Sequence, residues 1–158
     1  MSSLFVYGTL MSPEVISRVI ATLQCSTGLS RLTFRPASLK VLGAQYPAIV
    51  QSKLDSVEGI VVSGLSQEDI ALLDLYEGEQ YRRVSVQVET AVKYGSELLG
   101  TPDVPSEHLA VETYVWAHGL QGLSHLDWNF QDFVNESLKK WLTNEEEFRQ
   151  VDVYHTEK

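Results

Sequence analysis

Apolar and polar positions alternate with two different periods along this chain, and each change of period marks an element. Leu4-Phe5-Val6-Tyr7 is a short continuous apolar run stopped by Gly8-Thr9, the pattern of a buried strand. Ser12 then offers an N-cap and Pro13 a first helical residue. Val15, Ile16, Val19, Ile20 and Leu23 follow at helical spacing, so an amphipathic helix is predicted from Pro13 to about Gln24. Leu32 and Phe34, then Leu39 and Val41, alternate with polar neighbours in extended segments. Pro36 between them signals an edge, a bulge or a bend. Gln45 to Val50 and Val57 to Leu65 read as two further strands around the polar turn Ser52 to Ser56.

Ser66 and Asp69 stand at capping-box spacing, with Asp a poorer partner there than Glu. Ile70, Leu72, Leu73 and Leu75 supply the apolar face of a short helix that Glu77-Gly78 ends. Tyr81 to Glu89 alternates cleanly, with Val84, Val86 and Val88 on one face. Thr90 to His108 holds two Gly and two Pro with little periodicity and reads as a long loop. Val111 to Ala117 is another strand, and His118 to His125 a Gly-containing connection. Asp127 is the expected cap of a helix over about 128–143 carrying Phe130, Phe133, Val134, Leu138, Trp141 and Leu142. The tail 144–158 is expected to add a turn or two and to fray. Many strands with few intervening helices predict an α+β domain built round a small barrel or strongly bent sheet.

Composition narrows the possibilities. The 158 residues are 44% hydrophobic and 21% charged, ordinary globular usage, with no repeat and no break that would divide them. One domain over 1–158 is expected. The formal charge of −9 disfavours nucleic acid and anionic lipid as partners. The single cysteine, Cys25, has no partner for an internal disulfide and fits a reducing compartment. No apolar run is long enough to span a membrane, and the first residues have no basic leader character. A cytoplasmic protein that binds a small molecule is the expectation, and a monomer, because no exposed apolar seam stands out.

Much of the familiar catalytic vocabulary is missing. There is no metal-binding His or Cys spacing, no phosphate-cradling glycine loop and no nucleophile elbow. No metal and no cofactor are expected. His108, His118, His125 and His155 read as polar loop residues, and Glu145-Glu146-Glu147 as a solvated helix start. Two segments remain. Tyr7-Gly8-Thr9-Leu10 follows a strand, where glycine admits close backbone approach and successive amides can gather round an anion. Glu77 ends a helix just before Gly78, a position whose dipole raises a carboxyl's pKa toward that of a general base.

In order, Val6-Tyr7-Gly8-Thr9-Leu10, Tyr46-Pro47-Ala48-Ile49, Val57-Glu58-Gly59-Ile60-Val61, Leu73-Asp74-Leu75-Tyr76-Glu77-Gly78 and Tyr81-x-Arg83-x-x-Val86-x-Val88 form a connected pattern. With Val111 to Ala117 and Trp128-x-Phe130, the chain resembles the gamma-glutamylcyclotransferase-like superfamily, and within it the AIG2-like branch. The resemblance implies a small mixed barrel flanked by helices around one cavity. It also implies a reaction in which the α-amine of a γ-glutamyl group attacks its own side-chain carbonyl. 5-Oxoproline forms and an amine or amino acid leaves. Because the substrate carries its own nucleophile, the missing motifs are consistent with this chemistry.

On that resemblance Glu77 maps onto the general base and acid. Tyr7, Gly8, Thr9 and Leu10 map onto the substrate loop, and Tyr81 and Tyr114 onto cavity-lining tyrosines. Arg83 matches the motif, with pairing to a carboxylate as an alternative role. Thr9-Leu10 stand where the animal glutathione-pathway enzyme has Ser-Asn, which leaves the leaving group open. Two other readings stay beside this one: a lyase or cyclase acting on a non-glutamyl metabolite, and a non-catalytic metabolite-binding protein.

Overall fold

The computed structural model describes residues 2–20, 26–32, 35–41, 47–50, 57–94, 107–119 and 123–157. Leu23, Cys25, Phe34, Gln45, Tyr46, the Ser52 to Ser56 turn, residues 95–106 and 120–122 lie outside them. Among the described residues eight strands and five α-helical segments follow one another as an α+β fold, the class expected. The strands are β1 (Ser2–Val6), β2 (Ser26–Leu32), β3 (Arg35–Val41), β4 (Pro47–Val50), β5 (Val57–Leu65), β6 (Tyr81–Tyr94), β7 (Glu107–Trp116) and β8 (Leu123–Asp127). The helices are α1 (Pro13–Val19), α2 (Gln67–Glu77), α3 (Phe130–Asp132), α4 (Leu138–Leu142) and α5 (Glu145–Thr156), with a π turn over Phe133–Ser137.

Five strands pair in the order β1-β5-β2-β6-β7. The ring closes through a short parallel ladder, Leu4 opposite Glu112 and Phe5 opposite Thr113. A second sheet, β4-β3-β8, is not hydrogen-bonded into that ring, although β4 contacts β7 and β3 contacts β5. Its β3–β4 register shifts between Arg35 and Leu39, the interval that holds Pro36, as a residue without an N–H demands.

Period-two alternation sorts the apolar side chains into two cores. Phe5, Tyr7, Val61, Val88, Val111 and Val115 pack together with Val84 and Val86 against them. Leu4 and Val6 point the other way. They join Val15 and Val19 of α1, Leu72 and Leu73 of α2, Trp141 of α4, and Phe148 and Val151 of α5. Strand β1 is thus buried on both faces, which is why its run is continuously apolar. Gly59 of β5 lies beneath it. A Cβ there would meet the Val6 carbonyl oxygen and come within 2.6 Å of Phe5 Cζ.

Local signals explain where α2 begins and ends. Ser66 Oγ accepts from the Asp69 N–H at 3.1 Å, and Asp69 Oδ2 accepts from the Ser66 N–H at 2.8 Å. The capping box is complete with Asp in the fourth position. Gly78 stops the helix at φ +68°, a conformation that disfavours residues with a Cβ.

Four expectations are corrected. Helix α1 ends at Val19, because Ile20 is extended, although its N–H still reaches the Ile16 carbonyl. The expected 90–108 loop is partly strand: β6 continues to Tyr94 and β7 starts at Glu107, held by the pairs Thr90–Glu107 and Gly28–Tyr94. Asp127 closes β8 within the expected 118–125 connection and its sequel; Asn129 is the cap, accepting from the Asp132 N–H at 3.0 Å. The tail is a helix whose Phe148 and Val151 are 1% and 0% exposed, so it is a packed wall of the core.

Candidate functional site

A pocket of about 80 Å³ opens where β1 ends and α2 ends. That is room for several waters or one small polar group. Tyr7, Gly8, Thr9 and Leu10 line it together with Tyr76, Glu77 and Tyr81. Tyr114 reaches it from β7, and Trp141 and Glu147 from the C-terminal helices. Seven of the eight residues singled out from the sequence therefore meet in one place.

The loop after β1 is a single 3₁₀ turn over Thr9–Met11. Its bonds run from Met11 N–H to Gly8 O at 2.9 Å and from Ser12 N–H to Thr9 O at 3.1 Å. The turn itself does not consume the amides of Thr9 and Leu10. Beyond it, Ser12 accepts from the Val15 N–H and caps α1, with Pro13 first in the helix as expected.

Glu77 is half-buried at the last turn of α2. Its carboxyl pKa is raised to about 8, first by burial and then by the negative charge of Asp74. The direction is the one anticipated for a base. The main cause is desolvation, with a neighbouring like charge second. Asp74 itself is tied down on its far side. Arg83 holds it at 3.0 Å (Nε–Oδ1) and 3.2 Å (Nη2–Oδ2), and also meets Glu112 at 2.6 Å. Arg83 is exposed and does not line the pocket. It clamps the end of α2 to β6 and β7, the carboxylate-pairing alternative of the sequence reading.

Two tyrosines of the pocket, Tyr7 of the loop and Tyr114 of β7, spend their hydroxyls on the protein. Tyr7 donates to the Tyr114 carbonyl oxygen at 2.7 Å, bridging residues 107 apart in sequence. Tyr114 donates to Asp74 Oδ1 at 2.6 Å. Burial raises the Tyr114 pKa far above the ordinary phenol range, so its hydroxyl stays protonated. Both rings still line the pocket. Tyr81 is half-buried and packs edge-on against Trp116, with ring centroids 5.5 Å apart.

Tyr76, Trp141 and Glu147 are among the lining residues that were not singled out from the sequence. Tyr76 accepts from Trp141 Nε1–H at 2.9 Å and shares a 2.9 Å hydrogen bond with Thr9 Oγ1. Glu147, taken for part of a solvated helix start, faces the pocket, and burial followed by Glu146 raises its pKa. Its signal was present: Phe148 and Val151 at helical spacing mark an inward stripe, and Glu147 borders it. Among the described residues no cluster of His, Cys, Asp and Glu could hold a metal ion. Nor is any helix among them long and apolar enough to cross a membrane.

A closed sheet with helices packed on it and a pocket at the end of its first strand define an α+β fold. The family model described as gamma-glutamyl cyclotransferase, AIG2-like matches residues 4–130, and the chain belongs to that family. AIG2-like protein D of Arabidopsis thaliana is 30% identical over 148 residues, covering 94% of this chain and 89% of the relative. AIG2-like protein A of the same plant is 29% identical, covering 89% of this chain and 76% of its own. A solution structure of an Arabidopsis thaliana protein superposes with a TM-score of 0.62 at 26% identity, covering 98% of this chain and 84% of that one. A structure of a gamma-glutamyl cyclotransferase shares the fold at TM-score 0.56 and 16% identity, covering 96% and 86%. The family includes gamma-glutamyl cyclotransferase enzymes.

Proposed function

We propose that this chain is a cofactor-independent γ-glutamyl cyclotransferase that releases 5-oxoproline from a γ-glutamyl amide. The observation that supports the reading most is that Glu77, a carboxyl with pKa near 8, lines the same pocket as Thr9 and Leu10 of the loop. The bound substrate folds so that its α-amine faces its own γ-carbonyl carbon. Glu77, as carboxylate, takes a proton from the ammonium, and the nitrogen lone pair forms the ring C–N bond. The carbonyl π pair moves to oxygen, where loop amides stabilise the negative charge. The intermediate collapses: Glu77 returns its proton to the leaving nitrogen, the exocyclic C–N bond breaks, and the ring nitrogen gives its surplus proton to the freed amine. Ring closure draws on proximity, which reaches effective molarities of about 10⁵–10⁸ M in well-oriented cases.

The experiment is detection of 5-oxoproline by mass spectrometry after incubation with γ-glutamyl amino acids, γ-glutamyl-ε-lysine and γ-glutamyl alkylamines. Wild type should form it from at least one class. Glu77→Gln should lower the rate by about 10²–10⁴. If no member of the panel is cyclised, the reading fails and the pocket belongs to a non-glutamyl ligand. If Glu77→Gln turns over normally, the mechanism fails.

A further inference from the structure

The chain of hydrogen bonds behind the loop has a direction, and that direction reaches the pocket. Trp141 Nε1–H is a donor only, so the 2.9 Å contact makes the Tyr76 oxygen an acceptor. The Tyr76 hydroxyl has one proton. Among the described residues the acceptor within its reach is Thr9 Oγ1, 2.9 Å away. Thr9 is 5% exposed and lines the pocket. With Tyr76 as the donor of that bond, the Thr9 oxygen keeps its own proton to give elsewhere.

We propose that Trp141 and Tyr76 are positioning residues that fix Thr9 as a hydrogen-bond donor into the pocket, where it holds the carboxylate of the ligand. The inference rests on the cyclotransferase reading for the identity of that carboxylate. The α-carboxylate is the only anionic group every γ-glutamyl amide carries. The direction of the Thr9–Tyr76 bond is part of the proposal: with Trp141 on its oxygen, Tyr76 gives its proton to Thr9. Glu77 and Glu147 line the same cavity as the Thr9 donor, so a zwitterionic amino-acid head meets both an anion-reading hydroxyl and carboxylates there.

The signature is a rescue. In Trp141→Phe the packing ring stays but the donor is gone, and Tyr76 becomes free to accept from Thr9 and draw its proton out of the pocket. KM should rise about tenfold or more with kcat little changed, the size of a lost hydrogen bond to a charged group. Adding Tyr76→Phe removes the competing acceptor, so the double variant should return to within about threefold of wild-type KM. Thr9→Val should raise KM as Trp141→Phe does, and Thr9→Ser should preserve it. A purely structural tie would make the double variant worse than either single one, and that result overturns the proposal.

Binding separates this assignment from the reaction. 5-Oxo-L-proline and 2-pyrrolidone share a ring and differ in the carboxylate. By calorimetry, wild type should favour 5-oxo-L-proline about tenfold or more, and Thr9→Val should erase the preference. Retained preference without turnover of any γ-glutamyl compound would sink the reaction and leave the Thr9 assignment standing. Turnover with no dependence on Thr9, or no preference between the two rings, overturns the assignment.

Discussion

Glu77 is held in a place that opposes its own ionisation, and this has a cost that can be read without any substrate. Its folded-state pKa, about 8, lies above the value of 4.5 for an unperturbed glutamate. Between those values the folded state binds more protons than the unfolded one, so its stabilising contribution is full below about 4.5 and is lost as pH rises through 8. Gln cannot ionise. The Tm of Glu77→Gln should therefore match wild type near pH 5 and exceed it increasingly toward pH 9, measured by calorimetry across that range. For the same reason the acid limb of kcat/KM should centre near pH 8 in wild type. Asp74→Asn should move it to lower pH by removing the second cause of the shift. Glu77 was legible in the sequence because its neighbours Tyr76 and Gly78 are local. Tyr76 and Trp141 were not legible as partners, because nothing within either segment announces a hydrogen bond between residues 65 apart.

Elements were legible where one local signal agreed with one partner. Strand β5 was read at its observed bounds, Val57 to Leu65, and α2 at its cap and its stop. The far end of β6 was not, since Thr90 to Tyr94 extend because β2 and β7 lie alongside them. Pairing, a tertiary fact, overrode weak alternation. Two substitutions probe this scale. Ser66→Ala removes the hydroxyl that serves the Asp69 amide and should cost about 1 kcal/mol, or a Tm loss of about 2–4 °C. Gly59→Ala should cost more, about 1–3 kcal/mol, since the new methyl collides with the β1 backbone at Val6 and with the Phe5 ring. Chemical denaturation of both variants checks the order. A Gly59→Ala protein as stable as Ser66→Ala would mean that β1 and β5 can part more easily than their packing implies.

At the scale of the molecule, α5 is where sequence reading fell furthest short. Three glutamates and a charged ending suggested a solvated tail, yet Phe148 is buried beneath Arg18, whose guanidinium sits 4.7 Å above its ring. Arg18 also pairs with Asp152 at 2.6 Å, so α1 and α5 are joined by charge as well as by packing. Tyr76 packs on the same Phe148 ring, with centroids 5.5 Å apart. Phe148→Ala should therefore cost about 3–5 kcal/mol in urea unfolding, a large part of a domain's stability of about 5–15 kcal/mol. It should loosen the pocket together with the core. A loss below about 1 kcal/mol would show α5 to be dispensable.

The parallel ladder between β1 and β7 also sets a schedule. Phe5 leaves the ribosome more than a hundred residues ahead of its neighbour Thr113. At about 5–20 residues per second that interval lasts about 5–20 s. Until it ends, one edge of β1 has no strand to meet, and the loop and Glu77 exist without the tyrosine and tryptophan that complete their pocket. Strand pairing over such separations is intrinsically slow. The nascent chain thus passes through a long window with an apolar strand edge exposed, so chaperone demand and aggregation risk fall on the very segment that carries the ligand loop.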